Sequence, residues 1–262
     1  MPYIAQAPLR RLNALALLGP EERALVGRVL AVIEHHRAGN KLMTEGAVLD
    51  RPRLIVSGWA ARTHTLRDGR RQILDYYLPG EVMGHCPRDG ARALGSYVAL
   101  TRLETADARA LCAAVVARPD AVQELALALR LSEALEESHL LSQIVRAGRQ
   151  SAYERFAHLM LEFHSRLKLS GLADGATFQM PLTQEALGDG LGLSIVHINR
   201  TVQQLRREQL IRIGGGMVTL LDPEALAAIA EFRETAVGHG DGGAREGSAL
   251  RESRDRWAGA HS

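Results

Sequence analysis

The chain has 262 residues, and 46% of them are hydrophobic, which is enough to build packed cores in two domains. The formal net charge of +2 is too small to identify a nucleic-acid-binding protein, although a sequence pI of about 8.7 leans toward an anionic partner. The N-terminus lacks a secretory signal pattern and no run of about 18 apolar residues could span a membrane, so the sequence predicts a cytoplasmic protein with no membrane partner. The two cysteines, Cys86 and Cys112, are too few for a disulfide framework and lack the spacing of metal ligands.

The first predicted helix begins at Pro20, because proline is favoured at the first helical position. Apolar residues at helical spacing carry it to about Ile33. The histidine pair His35 and His36 is predicted to end this helix, where imidazole groups interact favourably with the helix dipole.

Short apolar runs bounded by glycine follow between residues 41 and 104. Closely spaced strands of this kind predict a barrel or roll. The dipeptide Asp68-Gly69, between residues 65–67 and 72–74, is a strong signal for a tight hairpin.

A long helix is predicted over residues 119–147. Small and apolar residues recur along it by alternating steps of four and three, which is the pattern of a helix that packs against a second copy of itself. The alternative is that this stripe only packs on the roll. The predicted dimerisation residues are Leu127, Leu131, Ala134, Ser138, Leu141 and Val145.

Residues 182–207 predict two short helices joined by a glycine turn, which is a helix-turn-helix. Thr183 and Ser194 can each cap the free amides of the helix that follows. Gly192 stands where the turn needs a positive φ. Two β-rich runs, residues 210–213 and 217–220, surround three glycines and predict a hairpin, so the whole unit predicts a winged helix.

The second of these helices has one apolar face and one free face, and the free face could enter the major groove of DNA. Arg200 is the best candidate for reading bases, since arginine suits guanine O6 and N7. The alternative is that Arg200 and Gln203 are ordinary solvated residues of a surface helix. The predicted DNA-binding residues are Thr183, Gln184, Ser194, Val196, His197, Asn199, Arg200, Gln203 and Arg207.

These features make residues 150–232 resemble the DNA-binding domain of the Crp/Fnr transcription regulators. The resemblance implies an α+β fold with an N-terminal β-roll of the cyclic-nucleotide-binding, jelly-roll type in residues 1–118, a dimerisation helix in 119–147 and a winged helix-turn-helix in 148–237. It also implies a homodimer that binds an inverted repeat of double-stranded DNA and contacts RNA polymerase. Residues 238–262 carry too few apolar groups to order themselves and are predicted to be a disordered tail.

The sequence departs from the family's pattern on the predicted DNA-binding helix and also at the cyclic-nucleotide site of the predicted roll. The family usually reads DNA with a glutamate followed four residues later by an arginine, and here Val196 precedes Arg200. Its cyclic-nucleotide sensors place a glutamate after a glycine and an arginine before a serine, and here these positions hold His85 and Gly95. Cyclic AMP would therefore lack its main ligands at the usual place. The candidate effector pocket is Gly80, Glu81, Gly84, His85 and Ser96, with the effector unknown.

Other chemistries remain as alternatives. Arg88 or Arg92 could replace the missing phosphate ligand, which keeps a cyclic-nucleotide sensor open. A haem sensor is a second alternative because His85 and Cys86 are capable axial ligands, although adjacent strand residues point to opposite faces. An iron–sulfur cluster would need four cysteines, and an enzyme using the roll pocket would need clustered ligands that His64 and His85 do not provide. We therefore predict no cofactor, no metal and no catalytic residue.

Overall fold

The computed structural model describes residues 6–85 and 90–235. Two short helices, α1 (Ala7–Leu15) and α2 (Pro20–Val29), lead into the first strand, β1 (Glu34–His36). Pro20 begins α2 as predicted, but α1 was not predicted from the sequence. The prediction that His35 and His36 end α2 is wrong. Both belong to β1, because pairing with another strand satisfies the backbone groups of this segment.

The predicted roll is confirmed as two antiparallel sheets of four strands each, with the orders β1-β8-β3-β6 and β2-β7-β4-β5. The tight hairpin at Asp68-Gly69 is also confirmed, since it joins β4 to β5 and Gly69 has a φ of +88°. The remaining strands of the roll are β2 (Lys41–Met43), β3 (Arg53–Ser57), β4 (Ala60–Thr65), β5 (Arg71–Tyr77), β6 (Val82–Met83), β7 (Ser96–Ala99) and β8 (Leu103–Asp107).

The long helix is confirmed, with shifted limits. After α3 (Arg109–Ala117), a single 3₁₀ turn covers Pro119–Ala121, and α4 then runs over Gln123–Arg149. The predicted start at residue 119 is therefore too early, because the 3₁₀ turn that holds the proline lies outside the α-helix. None of the helices in the described part of the chain is long and apolar enough to cross a membrane.

The C-terminal unit is the predicted winged helix-turn-helix. Its helices are α5 (Ala152–Leu169), α6 (Gln184–Leu191), α7 (Ile195–Arg207) and α8 (Pro223–Ala230). Its strands are β9 (Ala173–Asp174), β10 (Thr177–Gln179), β11 (Ile211–Gly214) and β12 (Met217–Leu220), in the sheet order β11-β12-β10-β9. The sequence predicted the β11–β12 hairpin but missed β9 and β10. The predicted disordered tail, residues 238–262, lies outside the described residues.

One hydrophobic core joins the roll to this C-terminal unit. The ring of Phe163 on α5 meets two aromatic rings of the roll edge to face, Trp59 at 4.8 Å and Tyr76 at 5.0 Å between centroids. The same cluster continues to Ile198 of α7. The position of α7 is therefore set by packing that begins in the roll.

Candidate nucleic-acid interface

The N-termini of α6 and α7 are capped as predicted. The Thr183 hydroxyl accepts a hydrogen bond from the Ala186 amide at 3.1 Å, and the Ser194 hydroxyl accepts one from the His197 amide at 3.3 Å. Each cap satisfies an amide that the helix itself leaves free, so α6 and α7 begin at defined residues.

Two glycines make the turn between α6 and α7 possible. Gly192 ends α6 with a φ of +66°, in the left-handed region that favours glycine. A side chain at Gly188 would place its Cβ only 2.6 Å from the Leu193 carbonyl oxygen. The turn can therefore fold back closely onto α6, and this fixes the angle at which α7 leaves it.

Helix α7 buries one face and leaves the other free. Ile198, Thr201 and Leu205 are buried against the C-terminal core. All nine predicted DNA-binding residues are exposed: Thr183, Gln184, Ser194, Val196, His197, Asn199, Arg200, Gln203 and Arg207. Among the described residues, the Arg200 guanidinium has no hydrogen-bond or ion-pair partner. Its donors are thus available to an external acceptor.

Some polar side chains at the interface are already oriented. The Gln184 side-chain amide donates to Asn199 Oδ1 at 2.6 Å, so it links α6 to α7 and leaves the Asn199 amide protons free to donate. His197 Nδ1 lies 3.0 Å from the Ser194 hydroxyl at the start of α7.

Sequence reasoning missed several residues of this surface. Ile195, the first residue of α7, is 48% exposed and stands beside Val196, which is 65% exposed. Arg206 and Arg212 are also exposed, at the end of α7 and on the wing. Exposed aliphatic residues directly after a cap were a usable signal, because helix periodicity gave Ile195 no place on the buried face.

Positive charge dominates the end of α7. Glu208 is the acidic residue that directly follows the helix, and it accepts hydrogen bonds from the Tyr153 hydroxyl and from the Gln204 amide. These bonds hold the pKa of Glu208 below its usual range. The Glu208 carboxylate is therefore hydrogen-bonded to neighbouring side chains, while Arg206 and Arg207 are exposed to solvent.

The predicted effector residues are divided between the lining of one cavity and positions outside that lining. Of the five, only Glu81 and His85 line the cavity between the roll and α4, and Gly80, Gly84 and Ser96 do not. Gly80 instead packs on Arg11, where an added Cβ would lie 2.9 Å from that of Arg11. The Ser96 hydroxyl accepts from the Glu45 amide at 3.1 Å.

His85 and Gly95, the two positions at which the family's cyclic-nucleotide ligands are expected, are both closely packed. His85 Nε2 lies 2.9 Å from Glu133, and His85 Nδ1 lies 3.3 Å from the Cys112 sulfur. A Cβ at Gly95 would stand 2.9 Å from the Thr63 carbonyl oxygen. This segment therefore has no room for a phosphate-binding side chain without a shift of the backbone.

Glu81, which lines the cavity between the roll and α4, also belongs to a buried ion cluster. The Arg166 guanidinium donates to Glu81 at 2.7 Å and to Glu162 at 2.9 Å, Arg11 lies 3.5 Å from Glu81, and Arg146 pairs with Glu162. Burial alone would raise the pKa of Glu81, but Arg166 and Arg11 outweigh it and hold that pKa at about 2. The cluster connects α1, the roll, α4 and α5.

The predicted dimerisation stripe changes character along α4. Leu127 and Leu131 pack partly against the core formed by α1, α2 and the roll. Ala134 is exposed, and Ser138 is half-buried with its hydroxyl 3.0 Å from that of Thr235. Leu141 and Val145 are 57% and 51% exposed. The large apolar residues that are free to meet a partner therefore lie in the C-terminal half of the stripe.

Within the described ranges, no group of three or more His, Cys, Asp or Glu side chains is arranged to hold a metal ion. Cys86, one of the two residues considered for haem, lies outside these ranges.

Known proteins are similar to this chain in sequence and in fold. Residues 154–229 match the family described as a Crp-like helix-turn-helix domain. The chain is 30% identical over 231 residues to the transcriptional activatory protein AadR of Rhodopseudomonas palustris, which covers 85% of this chain and 90% of AadR. It is 32% identical over 203 residues to the nitrogen fixation regulation protein FixK of Bradyrhizobium diazoefficiens, which covers 75% of this chain and 81% of FixK.

Solved structures agree in fold. FixK2 from Bradyrhizobium japonicum superposes with a TM-score of 0.65 at 24% identity, over 78% of this chain and 98% of FixK2. A CRP-family regulator from Thermus thermophilus gives a TM-score of 0.55 at 18% identity, over 78% of this chain and 98% of that protein. Both sequence relatives, AadR and FixK, are named as regulators, which favours the regulator over the enzyme alternative. With one relative at 30% identity over nine-tenths of its own length, the chain belongs to the Crp/Fnr family of DNA-binding transcription regulators.

Proposed function

We propose that this regulator binds double-stranded DNA as a homodimer and reads an inverted-repeat operator in the cytoplasm, with one α7 helix in the major groove of each half-site. The observation that carries the proposal is the free face of α7, on which Arg200, Gln203 and Arg207 are exposed while Ile198 and Leu205 are buried behind them. A helix held from behind by a core and open in front can enter a groove without unfolding anything.

Arg200 reads bases in this proposal, because its guanidinium is exposed and matches the two acceptors of guanine. Arg200→Ala should weaken binding to the operator by about 10- to 100-fold and leave binding to random duplex at low salt nearly unchanged. Arg23→Ala is the matched control, since Arg23 is an exposed arginine on α2. Fluorescence anisotropy on both duplexes measures the ratio. An equal loss on the two duplexes would contradict base reading.

The homodimer is proposed to form through the C-terminal half of α4. Leu141, Val145 and Ile144 leave 51% to 67% of their surface exposed in the single chain, which is unusual for large aliphatic residues on one helix. Leu141→Glu should give a monomer by light scattering and lose operator affinity. The control is Val116→Glu, which places the same charge on another exposed aliphatic residue, on α3. A dimeric Leu141→Glu protein would place the contact elsewhere.

The roll is proposed to respond to an effector other than cyclic AMP, or to none. His85 is engaged by Glu133 and Cys112, and Gly95 has no room for a phosphate ligand. Calorimetry with cyclic AMP should show no heat of binding at micromolar concentrations, and micromolar affinity would overturn this part.

A contact with RNA polymerase is proposed because the relative AadR is named as an activatory protein. Transcription in vitro with purified polymerase would test it.

A further inference from the structure

The front end of α7 is apolar and exposed. Ile195 and Val196 are the first two residues of the helix, and 48% and 65% of their surfaces are open. Neither residue improves the helix, since β-branched side chains lose rotamer freedom there and the N-terminus favours acidic groups. The first turn of α7 contains no acidic residue. The helix and the core therefore give no reason for this pair.

The major groove of DNA offers one apolar group for such a pair to contact. Each base edge presents donors or acceptors, and thymine alone adds a C5-methyl group. An aliphatic side chain placed against cytosine N4 or guanine O6 would cover a polar group without pairing it, which is unfavourable. Ile195 and Val196 therefore suit thymine and disfavour G·C pairs.

The surroundings of the pair fit DNA as the occupant. Arg200 lies one helical turn beyond Val196 on the same face, and Arg207 continues that face. Arg212 is exposed on the neighbouring wing. An apolar tip flanked by free cations complements a methyl-bearing groove edged by phosphates.

We propose that Ile195 and Val196 recognise thymine C5-methyl groups, so that each operator half-site carries A·T pairs beside the pair read by Arg200. This inference rests on the proposed DNA binding and adds the base chemistry that the loss of the family's glutamate at position 196 left open. Contact with one methyl group is worth about fourfold in affinity.

The experiment begins with selection of a preferred duplex from a random library by the full-length protein. Each thymine of the selected half-site is then replaced by deoxyuridine, which pairs identically and lacks only the methyl group. Anisotropy should show about fourfold weaker binding for each contacted thymine and about tenfold or more for two. Replacement of thymines outside the half-sites should change nothing.

Variants assign the effect to the pair. The Ile195→Ala/Val196→Ala protein should bind thymine and deoxyuridine duplexes with equal affinity, because the side chains that sense the methyl group are gone. The control Val32→Ala, which shortens a valine that is 72% exposed after α2, should keep the wild-type ratio.

The outcomes separate the two proposals. Selection of no preferred duplex overturns the proposed function, and this inference falls with it. A preferred duplex that tolerates deoxyuridine throughout overturns only the thymine reading. The same follows if the double variant keeps the full deoxyuridine effect, since that effect would then come from DNA shape rather than from methyl contact.

Discussion

Gly190→Ala tests how the roll holds the C-terminal winged helix-turn-helix unit. Gly190 lies in α6 against Tyr76 of β5, and an added Cβ would stand 1.9 Å from the Tyr76 hydroxyl oxygen and 2.7 Å from Cζ. Tyr76 cannot easily move aside, because it is 2% exposed and its hydroxyl donates to the Ala186 carbonyl at 2.9 Å. Its ring also packs edge to face on Phe163. One added methyl group must therefore displace either the tyrosine or α6.

The magnitude follows from what such a displacement breaks. Loss of the Tyr76 hydrogen bond costs about 1 kcal/mol, and loss of the aromatic contact costs about 1 kcal/mol. Forcing a methyl group into a packed site costs about 1–3 kcal/mol more. If α6 moves instead, it leaves the ion pair between Arg71 and Asp189, which is 2.7 Å long. We expect Gly190→Ala to lower the free energy of unfolding by about 3–5 kcal/mol.

Urea denaturation measures this loss, and a double-mutant cycle with Tyr76→Phe assigns it. Tyr76→Phe removes the atom that lies nearest the new methyl group, so Gly190→Ala should cost at least about 1 kcal/mol less in that background. Gly27→Ala is the matched control, since a Cβ at Gly27 in α2 meets nothing within 4 Å. That change should stabilise the protein by about 0.5–1 kcal/mol. A loss below about 1 kcal/mol for Gly190→Ala, equal in both backgrounds, would refute the reasoning.

Further predictions concern the buried ion cluster and the turn. Arg166→Met should cost about 3–5 kcal/mol in chemical denaturation because Glu81 and Glu162 lose their main cation, and a loss within experimental error would show that the cluster relaxes. Burial lowers the pKa of His139, on α4, from 6.5 to about 3. Between these two pH values the unfolded chain binds a proton that the folded chain does not, so His139 makes the wild type less stable as the pH falls. The stability of wild type relative to His139→Gln should therefore decrease on acidification by up to about 1.4 kcal/mol per pH unit, and parallel pH profiles would disprove it. Gly192→Ala should cost about 1 kcal/mol through its positive φ, and unchanged melting would count against the strained turn.

Local signals explain why the helix-turn-helix could be predicted from the sequence. Thr183, Ser194 and Gly192 act within three or four residues of themselves, as caps and as a positive-φ turn, and the structure uses each in that way. The hairpin at Gly69 was predictable for the same reason. Where a residue determines structure through its immediate neighbours, the sequence contains the whole interaction.

The missed features depend on distant residues. Glu81 was predicted to belong to an effector pocket, and its ion-pair partner Arg166 reaches it from 85 positions away in the sequence. His35 was predicted to end a helix, but it belongs to a strand whose partner, β8, lies about 70 residues downstream. No spacing within a window of helical length can report such contacts.

The same distinction bears on the candidate site. The exposed face of α7 could be assigned from periodicity, but its position relative to the rest of the molecule could not. The carbonyl oxygen of Gly190, near the end of α6, accepts hydrogen bonds from Gln72 of the roll and from Gln143 of α4. A carbonyl that α6 leaves free is thus held by the predicted sensor and by the predicted dimer helix at once.

This shared contact connects the proposed dimer to the proposed reader. The separation of two α7 helices in a dimer depends on how each reading unit sits on its own α4, and β5 of the roll is packed against both. A change in the roll that moves β5 must break hydrogen bonds to Gly190 or carry α6 with it. If α6 is carried along, the spacing of the two α7 helices in the proposed dimer changes, and the proposed inverted repeat, with its half-sites one DNA turn apart, is sensitive to that spacing. The roll therefore need not hold any familiar ligand to influence DNA binding, because its contact with α6 is already in place.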